Sequence, residues 1–252
     1  MNVTADSFSD GGRYLDPSRA IEHGLRLRED GADFVDVGGE STRPGAAPIV
    51  AEEEMRRVMP VVEALVREGV AVSVDTMKPE VMRAAIAAGC AVVNDVNAFR
   101  AAGAIDAVAG AKVGLIAMHM KGTPADMQKD PQYGDVVAEV KAFLLARAAA
   151  LEAAGVARQR IALDPGFGFG KAVAHNKALL HGLPVLAATG YPIVAGLSRK
   201  KMIGDFTGRP VAERTAGSVA AALLAVQNGA SLVRVHDVRE TVDAINVWME
   251  LK

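Results

Sequence analysis

Short apolar runs alternate with helix-like segments along the whole of this chain, and this alternation limits its fold more than any other feature. The runs are continuously apolar, which is typical of parallel strands that are buried on both faces. The predicted strands are 34–37, 71–74, 91–93, 114–118, 160–163, 192–195 and 232–235. Apolar residues at helical spacing predict the helices, at 17–30, 51–68, 79–88, 101–109, 136–154, 176–189, 211–228 and 238–251.

A strand–helix repeat of this kind predicts an α/β protein, and eight units in about 250 residues are typical of a (β/α)8 TIM barrel. Seven units are visible, and residues 1–3 resemble the end of an eighth strand. Because Met1 directly precedes Asn2, we expect this first strand to be truncated. No linker-like stretch divides the chain, so residues 1–252 are predicted to form one domain. A doubly wound open sheet is the alternative, but Gly11-Gly12 does not form its phosphate-binding fingerprint.

The bulk composition argues against several classes of protein. Half of the 252 residues are apolar and the net charge is −2, which favours neither a nucleic acid nor a membrane surface as a partner. No apolar run reaches the ~18 residues of a membrane span, and the N-terminus lacks the pattern of a signal peptide. Cys90 is the single cysteine and is interpreted as a core residue. We therefore predict a cytoplasmic protein.

Polar residues follow the apolar runs at the points where the predicted strands end. In a (β/α)8 barrel these positions converge on one rim, which carries the active site. Asp, Asn, Ser and Thr could instead cap the following helices, but capping requires no lysine, arginine or histidine. We therefore predict one active site from the strand ends, which carry Asn2, Thr4, Asp36, Glu40, Ser41, Thr42, Arg43, Asp75, Asn94, His119, Asp164, Ser198, Lys200, Arg234 and His236.

Two chemical groups can be separated within that set. The side chains of Asp75, Asn94 and Asp164 can accept hydrogen bonds from an aminopyrimidinone heterocycle, with the Lys200 cation among them. A second group suits phosphate oxygens, because arginine offers a fork of donors. Its members are Asn2, Ser41, Thr42, Arg43, Arg234 and His236. Asn2 can also supply an oxygen ligand to Mg²⁺. The sequence thus predicts a heterocyclic substrate with a phosphorylated arm.

Three loops stand out on the predicted rim. Segments 4–14 and 38–48 are long and rich in small residues, and they are predicted to act as mobile lids. The Gly-Phe-Gly-Phe-Gly-Lys segment at 166–171 lacks the spacing of a nucleotide-binding phosphate loop. Its phenylalanines are predicted to stack on an aromatic substrate. His119 is interpreted as a structural or pocket-wall residue, and Trp248 as a packing or interface residue.

Eight segments resemble, in order, the signature motifs of the dihydropteroate synthases. The longest are Asn-Val-Thr-x-Asp-Ser-Phe-Ser-Asp-Gly-Gly (2–12) and Asp-Val-Gly-Gly-Glu-Ser-Thr-Arg-Pro-Gly (36–45). The others are Ser-Val-Asp-Thr (73–76), Asn-Asp-Val (94–96), Met-His-Met-x-Gly-x-Pro (118–124), Asp-Pro-Gly-Phe-Gly-Phe-Gly-Lys (164–171), Gly-x-Ser-Arg-Lys (196–200) and Arg-Val-His-Asp (234–237). The resemblance covers residues 2 to about 245, although Ala5 replaces a proline that is common in the family.

The resemblance implies condensation of 6-hydroxymethyl-7,8-dihydropterin pyrophosphate with p-aminobenzoate, which gives 7,8-dihydropteroate and pyrophosphate. The implied pterin pocket comprises Asp75, Asn94, Met118, Asp164, Gly196 and Lys200. Pyrophosphate would be held by Asn2, Thr42, Arg43, Arg234 and His236, with Mg²⁺ bound through Asn2. The implied p-aminobenzoate site, which sulfonamides also occupy, includes Phe169, Ser198 and Lys200. A homodimer formed through the last helices is a further expectation.

No pair of nucleophile and base is evident in the polar set, which favours a dissociative substitution. Pyrophosphate would leave with its charge held by cations, and Asp75 would stabilise the cationic pterin methylene. The residues with catalytic roles are then Asp75, Lys200, Arg234 and His236. Two alternatives stay open. A pterin-dependent methyltransferase barrel should lack the residues at 198–200 and 234–236, and an inactive pterin-binding paralogue should lack a rim residue.

Overall fold

The structure is a computed structural model that describes residues 1, 3, 17–41, 46–124 and 126–252. Helices and strands alternate through these residues. The strands are β1 Val35–Gly38, β2 Val72–Asp75, β3 Val92–Asp95, β4 Gly114–Met118, β5 Ile161–Asp164, β6 Val194–Ala195 and β7 Leu232–Val233. The α-helices are α1 Pro17–Glu29, α2 Ala51–Arg67, α3 Pro79–Ala87, α4 Ala104–Val108, α5 Val136–Ala153, α6 Val173–His181, α7 Leu183–Ala187, α8 Lys201–Thr207, α9 Thr215–Gln227 and α10 Val238–Leu251.

The strands pair in parallel and in chain order. β1 to β5 form one sheet and β6 pairs with β7, while a bridge between Leu163 and Ile193 joins the two groups. At the other edge, Gly38 of β1 donates to Met1 O over 3.0 Å and accepts from Val3 N over 2.7 Å. Met1 and Val3 therefore lie beside β1, where the first strand was predicted. The fold is the predicted α/β architecture of a (β/α)8 barrel.

Buried valines form the strands and explain why their sequences lack alternation. Val37, Val72 and Val74 are completely buried, with helix residues such as Val58 and Leu65 of α2 packed around them. Each such side chain contributes roughly 1.5–3 kcal/mol when it leaves water. The core thus lies within and around the strands.

The predicted helix at 176–189 is wrong as a single helix. It is two helices, α6 and α7, separated at Gly182, whose N–H still donates to Ala178 O over 2.8 Å. Pro184 lies in the first turn of α7, where its missing N–H costs nothing and favours a new start. Helix α8 was not predicted, because seven residues with Gly204 among them show too little periodicity. The other elements agree with the predictions to within four residues at each end.

The structure also tests interpretations of single residues and segments. Cys90 is buried in the core, and this burial raises the pKa of its thiol to about 11, in agreement with a packing role. His119 is buried as well, with its ring edge-on to Phe143. In the part of the chain that the structure describes, no helix is long and apolar enough to cross a membrane.

Candidate active site

The ends of four neighbouring strands bring together most of the predicted pterin pocket. Asp75 ends β2 and is the register neighbour of Asn94 in β3. Met118 at the end of β4 is the register neighbour of Asp164 at the end of β5. Because adjacent strands lie about 4.8 Å apart, these four side chains form one surface at the mouth of the barrel.

An ion-pair cluster crosses this mouth. Arg234, which follows β7, places Nε 2.7 Å and Nη2 2.6 Å from Asp36 Oδ2. Its Nη2 also lies 3.3 Å from Asp75 Oδ2. Ser73 Oγ donates to Asp36 Oδ1 over 2.6 Å. The sequence analysis placed Asp36 on the rim and assigned it no role. Its contact with Arg234, 198 residues later in the chain, becomes visible only in the fold.

The two carboxylates of this cluster are shifted in opposite directions. Burial opposes ionisation of Asp36, but the charges of Arg234 and of the Met1 amine, with the hydrogen bonds from Ser73 and Arg234, together outweigh it and lower the pKa of Asp36. Burial, followed by the charge of Asp36, raises the pKa of Asp75, and Arg234 only partly opposes this. The charges of Arg234 and of the Met1 amine therefore only partly offset the burial of Asp75 and the charge of Asp36. The electrostatics favour additional positive charge beside Asp75.

Asn94 offers a hydrogen-bond acceptor that is not used within the described part of the chain. Its side chain is buried, and its Oδ1 has no hydrogen-bond partner among the described residues. A buried polar atom without a partner costs about 1–3 kcal/mol, which a ligand N–H would recover. An apolar cluster lies nearby and is composed of Val96, Met118, Met120 and Met127, with Met77 and Phe169 packed against it. Hydrogen-bond acceptors beside an apolar surface suit a flat heterocycle, because its edge can donate N–H groups while its face packs on the surface.

Asp164 and Lys200 add a second pair of opposite charges. Burial raises the pKa of Asp164, and the charge of Lys200 opposes the rise. Burial lowers the pKa of Lys200 to about 8 against the opposing charge of Asp164. The Lys200 ammonium donates to Phe167 O and lies 4.8 Å from the centre of the Phe169 ring. Gly196 is nearby, because a Cβ on it would lie 3.8 Å from Lys200 Nζ.

In the loop after β5, the two phenylalanines that were predicted to stack on a substrate lie in different environments. Phe167 is 1 % exposed and lies in the core, so the prediction is wrong for this residue. Phe169 is partly exposed beside the apolar cluster and remains available. Sequence reasoning also missed Lys171, whose buried Nζ lies 2.9 Å from Gly166 O and 2.9 Å from His119 Nδ1. In the sequence, Lys171 was marked only by its position at the end of a glycine-rich segment.

The substitution Gly166→Ala is expected to lower the free energy of unfolding by more than about 2 kcal/mol. Gly166 has φ +67°, and a Cβ on it would lie 1.9 Å from His119 O. The backbone would have to move, and Asp164 Oδ1 would lose the 2.7 Å bond from Gly166 N. Urea denaturation measures the loss. The control is Gly208→Ala, since Gly208 has φ +68° but nothing within 4 Å of an added Cβ. Equal losses would contradict the role of the His119 contact.

Two segments that the sequence analysis placed at the site, 196–200 and 234–237, are joined side chain to side chain. Ser198 Oγ lies 3.2 Å from His236 N and 3.0 Å from His236 Nδ1. Arg199 Nε donates to Asp237 Oδ2 over 3.1 Å, and its Nη2 donates to Asp237 Oδ1. The rim residues that follow β6 and β7 therefore form one unit.

His236 lies at the exposed edge of this unit. Partial removal from water, followed by the charges of Arg199 and Arg234, lowers the pKa of His236 to about 4. The imidazole is therefore neutral near pH 7. A neutral imidazole has one donor nitrogen and one acceptor nitrogen, so its chemistry depends on which nitrogen carries the proton.

Three predicted site residues, Asn2, Thr42 and Arg43, lie outside the described residues, and so do segment 4–14 and positions 42–45 of segment 38–48. Among the residues described, no three His, Cys, Asp or Glu side chains are grouped to hold a metal ion. Mg²⁺ commonly takes only one or two protein ligands when phosphate oxygens and water complete its shell.

Comparison with known proteins gives consistent results. A family described as pterin binding enzymes matches residues 1–236. A dihydropteroate synthase of Neisseria meningitidis serogroup C is 50% identical over 256 residues, which cover 100% of this chain and 90% of that protein.

Solved structures are similar over the whole chain. The dihydropteroate synthase of Xanthomonas albilineans with 4-aminobenzoic acid has a TM-score of 0.94 and 56% identity, covering 99% of this chain and 90% of that one. The same enzyme in complex with 7,8-dihydropteroate has a TM-score of 0.90. A Yersinia pestis dihydropteroate synthase with a sulfonamide drug complex has a TM-score of 0.94 and 43% identity, covering 100% of this chain and 92% of that one.

Proposed function

The chain belongs to the dihydropteroate synthases, a family of pterin-binding enzymes, and we propose that it joins 6-hydroxymethyl-7,8-dihydropterin pyrophosphate to p-aminobenzoate. The observation that carries the proposal is the unused Asn94 acceptor beside Asp75 and Asp164, at the edge of an apolar wall. The products are 7,8-dihydropteroate and pyrophosphate.

The pterin binds where hydrogen-bond acceptors converge. Asp164 accepts from the amino group and the ring N–H of the pyrimidinone edge, because a carboxylate can receive two parallel bonds. Asn94 Oδ1 accepts from another ring N–H. The Met118 side chain packs on the ring face, and Gly196 leaves space for the ring beside the Lys200 ammonium. The arm of the substrate then points towards the end of β7.

The pyrophosphate arm lies near Arg234 and His236, and Asn2, Thr42 and Arg43 are proposed as its further ligands. Arginine matches phosphate geometry with paired donors, and the His236 imidazole adds a neutral donor. Mg²⁺, with Asn2 as its protein ligand, supplies positive charge to the leaving group when it is bound.

The reaction is a dissociative substitution at the methylene carbon. The C–O bond breaks with both electrons going to pyrophosphate, whose new charge is held by Arg234 and His236. The pterin methylene cation that remains is stabilised by Asp75. The charge of Arg234 only partly offsets the negative charges of Asp75 and its neighbour Asp36. The amine lone pair of p-aminobenzoate forms the C–N bond, and the proton lost from nitrogen passes to solvent.

The p-aminobenzoate site is proposed beside Phe169 and Lys200. The ring of Phe169 is partly exposed at the mouth and can pack on the second aromatic substrate, while the Lys200 ammonium lies over the same ring. Ser198 was predicted in this site too, but its hydroxyl is directed at His236. Sulfonamides share the shape of p-aminobenzoate, and we propose that they inhibit this enzyme at the same place.

We also propose a cytoplasmic homodimer. Helix α10 leaves Val247, Met249 and Leu251 between 58% and 82% exposed, and α9 leaves Leu224 48% exposed. Exposed apolar side chains on the last two helices support an interface between two copies. Substrates this small and polar require neither a nucleic acid nor a membrane partner.

The proposal predicts that pyrophosphate and 7,8-dihydropteroate form together when both substrates and Mg²⁺ are present. One 7,8-dihydropteroate should form for each pyrophosphate, and removal of Mg²⁺ by a chelator should lower the rate more than about tenfold, because several kcal/mol of charge stabilisation are lost. Coupled pyrophosphate detection with chromatography of the pterin product measures both. Tight binding of the pterin pyrophosphate without turnover would instead indicate an inactive paralogue, and methyl transfer from a methylated pterin to a corrinoid would indicate a methyltransferase.

A further inference from the structure

The hydroxyl of Ser198 is buried and bonded twice to one residue. The Ser198 side chain is 5% exposed, and its Oγ lies 3.2 Å from the backbone N and 3.0 Å from Nδ1 of His236. The adjacent pair of Arg199 and Asp237 holds the same two chain segments together. The contact between Ser198 and His236 is therefore fixed by its surroundings.

The burial of the Ser198 hydroxyl assigns the direction of both bonds, because a buried hydroxyl proton requires an acceptor. The backbone N–H of His236 can only donate, so Ser198 Oγ is its acceptor. The hydroxyl has one proton of its own, and in the part of the chain that the structure describes, the partner found for it is His236 Nδ1. An Nδ1 that accepts this proton carries none. The neutral imidazole then has its proton on Nε2.

The tautomer matters because His236 is neutral near pH 7, as its lowered pKa indicates. An imidazolium would donate from both nitrogens whatever its neighbours were. A neutral ring with the proton on Nδ1 would turn a lone pair of Nε2 towards an approaching anion and repel it. A neutral ring with the proton on Nε2 donates to the anion instead.

We propose that Ser198 is a positioning residue that holds His236 in the Nε2–H tautomer and so presents a hydrogen-bond donor to the pyrophosphate of the substrate. This inference rests on the proposed function and goes beyond it, because it gives the Ser198 hydroxyl to His236 rather than to p-aminobenzoate. Ser198 then affects the binding of the pterin pyrophosphate and not that of p-aminobenzoate.

Nitrogen NMR of the full-length protein labelled at histidine tests the tautomer directly. In the unsubstituted protein, the His236 signals should show a protonated Nε2 and an unprotonated Nδ1. In Ser198→Ala the two nitrogen shifts should move towards each other, because the tautomers are free to exchange. Assignment of the His236 signals comes from their loss in His236→Gln. A protonated Nδ1 in the unsubstituted protein overturns the proposal.

Calorimetry with inorganic pyrophosphate and Mg²⁺ tests the consequence for binding. Ser198→Ala should weaken pyrophosphate binding about tenfold, the size of one hydrogen bond to a charged group. The KM for p-aminobenzoate should stay within about twofold, since its contacts are unaltered. In a His236→Gln background, Ser198→Ala should weaken pyrophosphate binding no further. A raised KM for p-aminobenzoate with unchanged pyrophosphate binding overturns the proposal.

Ser218→Ala is the matched control. Ser218 is also buried, and its Oγ accepts from Arg199 N and donates to Arg214 O, so it supports the same loop without contact to His236. It should leave the His236 tautomer unchanged, and an equal effect of both alanines would assign the change to loop packing. If Ser198→Ala does not fold, Ser198→Cys serves as the second variant, because its thiol keeps nearly the volume of the hydroxyl. Pyrophosphate binding and NMR need no turnover, so an inactive protein would contradict the proposed function while these outcomes still decide the role of Ser198.

Discussion

Replacement of Asp75 by asparagine is expected to lower kcat about 100-fold to 1000-fold and to leave the protein at least as stable as before. Two opposite charges about 4 Å apart attract by about 4 kcal/mol at an effective dielectric constant near 20. Removal of that attraction from the transition state alone slows the reaction by up to about three powers of ten. Asparagine keeps the size of the side chain and an oxygen for Arg234, so the charge is the main property that changes.

The expected stability follows from the raised pKa of Asp75. Burial and the charge of Asp36 make the ionised form of Asp75 unfavourable in the folded protein. The folded state therefore binds more protons than the unfolded state between the ordinary pKa of aspartate, about 3.9, and the raised one. Stability falls as the pH rises through that window. In Asp75→Asn this fall should disappear, and the variant should unfold at neutral pH no more easily than the unsubstituted protein.

Asp36→Asn is the matched control, with the opposite sign of stability. Arg234 lowers the pKa of Asp36, so the ionised form of Asp36 stabilises the fold at neutral pH. Asp36→Asn should lower the free energy of unfolding by about 2–3 kcal/mol, the range of hydrogen bonds to charged groups. Urea denaturation at neutral pH compares the two variants, and single-turnover kinetics measures the chemical step. Near-normal turnover by Asp75→Asn would contradict a cationic intermediate beside Asp75.

The strand positions of this fold could be predicted because each strand is a continuous apolar run. Knowledge of where the strands end then located Asp75, Asn94 and Asp164, which in the structure come together in neighbouring strands. Periodicity alone was insufficient for α8, which has seven residues and includes Gly204. Short helices of this kind form through tertiary packing, which a local pattern does not record.

Pairwise contacts between distant residues could not be predicted from the sequence. The pairing of Arg234 with Asp36 depends on how the last strand returns beside the first ones. The inward direction of Phe167, unlike that of Phe169, depends on loop geometry after β5. Ser198 was predicted in the p-aminobenzoate site, whereas its hydroxyl contacts His236, which follows a different strand. Local sequence therefore identified the residue types of the site, whereas their partners required the fold.

Glu54 is a further residue whose role required the fold, and it gives the second large effect that we expect. It lies in the first turn of α2 and is completely buried. Lys78 donates to Glu40 and to Oε2 of Glu54, and Glu54 Oε1 has no hydrogen-bond partner among the described residues. The lysine joins α2 to the residues that follow Asp75 and to Glu40, which follows β1.

Lys78→Met is expected to lower the free energy of unfolding by about 3–5 kcal/mol, because it leaves a buried carboxylate without its cation. Burial alone would lower the pKa of Lys78, but the bonds to Glu40 and Glu54 outweigh it and raise the pKa. The stabilisation by Lys78 is therefore complete at neutral pH and is lost only in alkali above the ordinary pKa of lysine, about 10.4. Equilibrium denaturation at neutral pH measures the loss.

The double variant Glu54→Gln/Lys78→Met separates the charge of Glu54 from the packing of Lys78. The neutral amide removes the buried charge, so the double variant should recover more than half of the stability that Lys78→Met loses. Arg56→Met is the matched surface control, since Arg56 pairs with Glu53 while 77% exposed, and it should change stability by less than about 1 kcal/mol. A double variant as unstable as Lys78→Met would contradict the role of the Glu54 charge, because the loss would then come from the packing of the lysine chain.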